Sequence, residues 1–191
     1  MAGTSTAGQG PAPSINIRSS GDHPPDQPPN PPLTLRPLRD ADLPLVEVWM
    51  QLSHVRPWFR NPQEWLHEMR ERRGEFAFLK HLIAEREGQR VGFCQYYHCL
   101  ADELAWSEAL PHRGTHSIDY LLGPTELLGR GIGRELVAAL TARTFAQTDA
   151  KRIAVSPERE NIPSRRTLLS CGYELREGEL FVLTRERWRR G

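Results

Sequence analysis

Two stretches of the chain carry residues whose types and spacing suit chemistry. In Leu128-Gly129-Arg130-Gly131-Ile132-Gly133-Arg134-Glu135, three glycines fall within five positions. Glycines let backbone N–H groups converge on an anion, and a helix opening at such a turn adds the positive end of its dipole. The ligand this suits is a pyrophosphate, although glycines also serve ordinary loops. The second stretch holds Asp119 inside the apolar run Ile118-Asp119-Tyr120-Leu121-Leu122. An ionisable residue there is costly unless it is paired or useful, which makes Asp119 a candidate for binding an ammonium or accepting its proton. The alternative is a carboxylate turned to solvent on the polar face of a half-exposed strand.

Both stretches need elements to position them, and the hydrophobic pattern supplies these. Leu33, Leu35 and Leu38 suggest a first strand, and Asp40 can cap a helix carrying Leu43, Val46, Trp49, Met50 and Leu52. Pro62 sits well as the first residue of a second helix with Trp65, Leu66 and Met69. The spans 76–85 and 90–99 read as a hairpin broken at Glu87-Gly88-Gln89. After a polar loop over 100–113, a strand at 115–122 leads into the glycine turn. Leu136, Val137, Leu140 and Phe145 then fall at helical spacing, so the turn opens a helix as phosphate cradling requires. A strand at 151–155, a short helix at 163–170 and a strand pair across 173–183 complete the order β-α-α-β-β-β-α-β-α-β-β.

The 191 residues suit one domain with a substantial core. A formal net charge of +1 gives no electrostatic reason to expect nucleic acid or an acidic membrane surface as partner. No run approaches the roughly 18 apolar residues of a membrane span, and the N-terminus lacks the apolar core of a secretory signal. The expectation is a cytoplasmic protein acting on small molecules, of unassigned oligomeric state. Residues 1–32 hold half of the chain's 16 prolines and almost no large apolar side chains, as expected of a disordered tail. Cys94, Cys99 and Cys171 form neither a CxxC pair nor an even set, so burial is the expected role, with a reactive thiol at Cys171 as the alternative. No metal site is assigned.

Two motifs in this order resemble the GNAT superfamily of acyl-CoA-dependent N-acyltransferases. The first is the strand from Ser117 to Gly123 running into Leu128-Gly129-Arg130-Gly131-Ile132-Gly133. The second is Asn161-Ile162-Pro163-Ser164, with Leu168 seven residues after Asn161 and Gly172-Tyr173 closing the short helix. Within that superfamily the chain is most similar to the aminoglycoside 6'-N-acetyltransferases. That likeness is carried by Trp49, Ser53-His54-Val55, Trp58, the strand from Val91 to Tyr97, Trp106, Glu108 and Ile118-Asp119. The resemblance implies an α/β fold of the α+β kind: a mixed central sheet whose strands splay to admit a pantetheine arm, flanked by helices, in a single domain over 33–191.

Acetyl-CoA would be the acyl donor. The resemblance places its pyrophosphate on N–H groups of Gly129, Arg130, Gly131, Ile132, Gly133 and Arg134, and its pantetheine amides on backbone of Leu121, Leu122 and Gly123. Arg130 and Arg134 would add charge-assisted bonds or stand as solvated basic residues. Asn161 and Ser164 map onto cofactor contacts, and Asn161 alone would read as a helix cap. His54, Trp58 and Trp49 would wall the acceptor site, with Trp49 equally readable as core. Trp106 and Glu108 would belong to the acceptor loop, where an indole covers an ammonium and a carboxylate holds a cation. His98, His112 and His116 are alternative bases.

One departure concerns the leaving group. Many members of the superfamily carry a tyrosine seven residues after the Asn to protonate the departing CoA thiolate; here that position is Leu168. Tyr173, water or an unassisted thiolate would have to serve. The expected function is transfer of an acetyl group to a primary amine of a small polar or amino-sugar substrate, with Asp119 as the catalytic group, by direct attack in a ternary complex. The alternatives are a peptide, protein or siderophore-type amine as acceptor, and an acyl-CoA-binding protein without turnover.

Overall fold

The computed structural model describes residues 31–99, 110–176 and 178–191. The Pro-rich N-terminal stretch and most of the loop that follows the hairpin lie outside them. Seven strands form one sheet in the order β1-β2-β3-β4-β5-β7-β6. They span β1 Thr34–Pro37, β2 Lys80–Arg86, β3 Gln89–His98, β4 Thr115–Leu122, β5 Arg152–Val155, β6 Glu174–Leu175 and β7 Phe181–Thr184. Among the described residues five α-helices accompany them: α1 Leu43–Met50, α2 Pro62–Arg70, α3 Ile132–Gln147, α4 Ile162–Ser170 and α5 Arg185–Arg190. Neighbouring strands are antiparallel except β4 and β5, so the sheet is mixed. The order matches that expected from the sequence, with α5 added at the end.

Local chemistry explains the boundaries. Glu87 and Gly88 both take positive φ, 50° and 76°, giving the two-residue turn whose twist matches a hairpin between Arg86 and Gln89. The strand expected from Phe76 begins only at Lys80. The alternating aromatics Phe76 and Phe78 mimic a strand period, but Ala77 N–H bonds Gly74 O at 3.2 Å and Leu79 N–H bonds Phe76 O at 3.1 Å, closing turns. Phe76 packs edge-on against His67 of α2, 5.7 Å between centroids. Near β1, Arg36 clamps the buried Asp42 with both terminal nitrogens, at 2.6 and 2.9 Å, and reaches Glu85 through Nε at 2.8 Å. That pairing holds the Asp42 carboxyl down at about 2.

The two sheet faces bury separate cores. One packs Cys94, Tyr96, Ile118 and Ile153 against Leu136, Val137 and Leu140 of α3 and Leu168 of α4. The other packs Ile83, Phe93 and Leu121 against Val46, Trp49 and Met50 of α1 and Leu66 and Met69 of α2. Strand β4 therefore divides its side chains by period two: Ile118, Tyr120 and Leu122 turn to the α3/α4 side, and Leu121, with Asp119, turns to the α1/α2 side. Trp49 lies directly on Gly123, where a Cβ would stand 2.0 Å from the indole. Gly123→Ala is expected to lower stability by about 3 kcal/mol through overpacking, read as a fall in the denaturant midpoint at unchanged slope.

His81 of β2 is buried, stacks on Phe93 at 6.0 Å between centroids, and has no hydrogen-bond partner on either ring nitrogen. Burial first, and then Arg72 and Lys80, push it down to about 4. The folded state keeps this ring neutral while the unfolded chain binds a proton below about 6.5, so stability falls as pH drops from about 6.5 to about 4. The loss at the acid end is about 3 kcal/mol. A His81→Leu variant should lose this slope while keeping the acid sensitivity due to Asp42, and coincident stability curves for the two proteins would refute the assignment.

Candidate active site

β4 and β5 pair only at Thr115↔Arg152 and His116↔Ile153, after which they part. The gap opens a cleft of about 750 Å³ between β4, the loop after β5 and the start of α4, with residues between α1 and the middle of α2 on its far wall. This is the splay that the resemblance to the GNAT superfamily implies.

Backbone alternation shows what the gap exposes. Thr115 O accepts from Cys99 N–H and Gly123 N–H donates to Val91 O, both at 3.0 Å, so odd-numbered residues of β4 spend their polar groups on β3. Gly114 O, accepting from Arg152 N–H at 3.1 Å, faces the other way. Ile118, Tyr120 and Leu122 therefore aim N–H and C=O into the gap, beyond the last pairing with β5. This corrects the backbone set expected for the pantetheine arm. Leu122 is placed for it, but Leu121 and Gly123 turn their amides to β3, and Tyr120 and Ile118 stand in their place. The Leu122 carbonyl already accepts from His54 Nε2 at 3.0 Å.

At the end of β4, Gly129 and Gly131 take φ of 72° and 81°, a left-handed conformation that glycine adopts without strain. Gly131 is the residue before α3, and no side chain caps the helix there; the first helical bond is Glu135 N–H to Gly131 O at 3.1 Å. The N–H groups of Ile132, Gly133 and Arg134 are left without a helical acceptor. A Cβ at Gly129 or Gly131 would meet open space, so bare backbone can approach a ligand there. Leu128, Gly129 and Gly133 line the cleft. Ile132 buries its side chain and offers only backbone. Arg130 and Arg134 are exposed and lie outside the cleft lining, as solvated residues beside a helix start. An open strand edge running up to an uncapped, glycine-lined helix start fits an acyl-CoA.

Helix α4 forms the opposite lip. Asn161 accepts from Ser164 N–H at 3.2 Å, the cap geometry, and both residues line the cleft. The Ser164 hydroxyl pairs with the Tyr120 hydroxyl at 2.7 Å, bridging β4 to α4. Leu168 is fully buried beneath them. Tyr173 does not reach the site: its hydroxyl is bonded to Thr141 Oγ1 at 2.8 Å within the core. The Cys171 thiol donates a hydrogen bond to Arg134 O at 3.4 Å, and burial raises its pKa, so the reactive-thiol alternative finds no support in its surroundings.

On the α1/α2 side, Asp119 lines the cleft and its Oδ2 accepts from Gln95 Nε2 at 2.9 Å. Gln95 is buried and its Oε1 has no partner. His54 and Trp58 line the cleft with Phe59, Trp65 and Tyr97. Trp49 does not; of its two readings the structure selects core, because its ring is spent on Gly123. Trp106 and Glu108 lie outside the described residues. His98 and His116 form an edge-on pair 5.1 Å apart, away from the cleft, and burial lowers the His116 pKa. His112 is exposed and likewise outside it. Gln95, Tyr97 and Tyr120 were missed as site residues. The alternation that puts Gln95 and Tyr97 on the Asp119 face becomes readable only once the β3/β4 register is known. A hydroxyl beside Asp119 in an apolar run was a signal already present at Tyr120.

Gly131→Asp would set a carboxylate beside the N–H groups that open α3, where an anion would sit. CoA affinity is expected to fall at least about 100-fold in a protein that still melts cooperatively, about 1 kcal/mol less stable because Asp must take the positive φ of 81° there, measured by calorimetry and melting. Unchanged affinity would remove the anion from this turn.

The description "Acetyltransferase (GNAT) domain" matches residues 39–179. Aminoglycoside N(6')-acetyltransferase type 1 from Klebsiella pneumoniae and from Serratia marcescens are each 28% identical over 151 residues, covering 76% of this chain and 75% of the relative. The crystal structure of aminoglycoside acetyltransferase AAC(6')-Ib with coenzyme A superposes with a TM-score of 0.72 at 27% identity, covering 83% of this chain and 98% of that one. The same enzyme with paromomycin and acetyl-CoA gives 0.72 at 27%, covering 83% and 97%. With a matching family model over most of its length and the fold and cleft described above, this chain belongs to the GNAT acetyltransferase family.

Proposed function

We propose that the protein transfers the acetyl group directly to a primary amine of a small polar or amino-sugar substrate, with both substrates in the cleft together. The observation that carries this is Asp119 at the parting of β4 and β5, on the face opposite Tyr120 and fixed by Gln95. A primary amine is protonated at neutral pH and must lose a proton before it can attack. Asp119 binds the ammonium and accepts that proton, directly or through water. Gln95 orients the carboxylate through its Oδ2. The N–H groups of the open β4 edge face the gap, where they suit the oxyanion that develops on the thioester carbonyl.

The acceptor side is walled by Trp58, Phe59, Trp65 and Tyr97, flat faces against which a sugar ring or a cation packs. The likeness to aminoglycoside acetyltransferases, one of them solved with paromomycin, supports an amino sugar as the class. Asp119 and Glu158 are the acidic side chains of the cleft among the described residues.

Thiol release from acetyl-CoA across aminoglycosides, polyamines, amino acids and short peptides tests the class; turnover confined to peptides would replace the amino sugar with a peptide amine. Asp119→Asn should lower kcat/KM by about 10²- to 10⁴-fold with CoA affinity unchanged. An unaltered kcat/KM and pH profile in that variant would end the role given to Asp119.

A further inference from the structure

The cleft has a route for the amine's proton on one face of β4, and the sulfur that leaves needs a proton on the other. Position 168 holds a fully buried leucine, and Tyr173 is committed to Thr141. We propose that the Tyr120 hydroxyl protonates the CoA sulfur as the C–S bond breaks, so that the phenol comes from the strand and not from α4. This rests on the direct-attack reading above.

Position supports it. An acyl-CoA anchored at the glycine turn and lying along the open edge from Leu122 towards Ile118 brings its thioester to the level of Tyr120, because the gap closes at His116, where β5 pairs again. Tyr120 turns to the α3/α4 side and packs into the same core layer as Leu168. Its hydroxyl spans the gap to Ser164 at the first turn of α4. Both residues line the cleft. Tyr97, the other cleft phenol, stands on β3 two residues from Gln95, on the α1/α2 face with Asp119.

The hydrogen-bond pattern supports it as well. Either hydroxyl of the Tyr120–Ser164 pair can donate. With Ser164 donating, the phenol proton is left only the long contact to Ser164 O at 3.5 Å, which it can give up for a sulfur in the cleft, and the Ser164 hydroxyl then steadies the phenolate. Burial raises the Tyr120 pKa, so the group enters the reaction as the protonated phenol. The balance closes. The ammonium gives its first proton to Asp119 and solvent; the nitrogen gives its second on becoming an amide. As C–N forms and C–S breaks, sulfur takes the phenol proton and CoA thiol leaves; the nitrogen's second proton follows the first through Asp119 to solvent, and the phenolate recovers a proton from solvent.

The test uses the full chain with Tyr120→Phe and with 2,3,5-trifluorotyrosine at position 120, followed by thiol release with the best amine and by basal hydrolysis of acetyl-CoA to water. Tyr120→Phe is expected to lower kcat by about 10²-fold in both reactions, with the Kd for CoA unchanged. Trifluorotyrosine should retain activity and move the alkaline fall of kcat to lower pH, a change that packing alone would not produce. Unchanged kcat in Tyr120→Phe, equal losses of kcat and CoA affinity, or an unmoved alkaline limb would each overturn the assignment. Initial-rate patterns in the unaltered protein test the ternary complex separately. Parallel lines would sink direct attack, while the hydrolysis reaction would still report on protonation of sulfur.

Discussion

A sheet that fails to close in its middle dominates this structure. After two paired residues β4 and β5 separate, and the backbone groups of Ile118, Tyr120 and Leu122 lose the neighbour a strand normally supplies. Unpaired backbone polar groups in a protected place cost free energy, and folding avoids them wherever an alternative exists. Here the gap persists because both sides are fixed elsewhere. β4 is held along its whole length by β3, from His98↔His116 to Gly92↔Leu122, and β5 by β7 over all four of its residues. The two cores on opposite faces of the sheet anchor the strands independently. The result is an edge kept open by its surroundings, with one of its carbonyls already engaged by His54.

Close approaches keep that edge in position. Gly92 must be bare because a Cβ there would stand 2.4 Å from Leu121 O, and Gly123 must be bare because Trp49 lies on it. One extra residue, Val91, enters β3 between the pairs Ala84↔Gly92 and Glu85↔Arg90, and this bulge sits beside both contacts. Val91 O then accepts the Gly123 N–H, tying the end of β4 to the irregularity. The indole, the bulge and the two glycines form one packed unit behind the open edge of β4. Core packing and site geometry are the same contacts seen from two directions.

Much of this was legible in the chain, and the exceptions have physical causes. β4 was delimited correctly at Thr115–Leu122, because a branched, apolar run bounded by glycines leaves little freedom. Helix α3 followed from three glycines and a run at helical spacing. Phe76 and Phe78 misled because period-two aromatics also arise in turns that pack on a neighbouring helix. Trp49 could not be divided between core and site, since that depends on what lies on Gly123, a residue 74 positions later in the chain. Which amides of β4 face the gap depends on the phase of the ladder with β3, and local residue types carry no trace of that phase. It was this phase that moved the open positions from Leu121 and Gly123 to Tyr120 and Ile118.

The same phase separates the chemistry. Period two sends Asp119 to the side of α1 and α2 and Tyr120 to the side of α3 and α4, with the backbone of one strand between them. A carboxylate and a phenol in direct contact would exchange a hydrogen bond and blunt one another. Held on opposite faces, each meets a different polar partner, Gln95 for the acid and Ser164 for the phenol, and in the proposed reaction each would face a different end of the thioester and amine. An amine entering from the aromatic wall and an acyl-CoA lying along the strand edge then meet at the strand itself. The loss of a tyrosine from α4 is compatible with turnover in such an arrangement, because adjacent residues of a strand deliver groups to both faces at one height along the gap. The distance between the two proton routes is set by the pleat of β4, which neither substrate has to adjust.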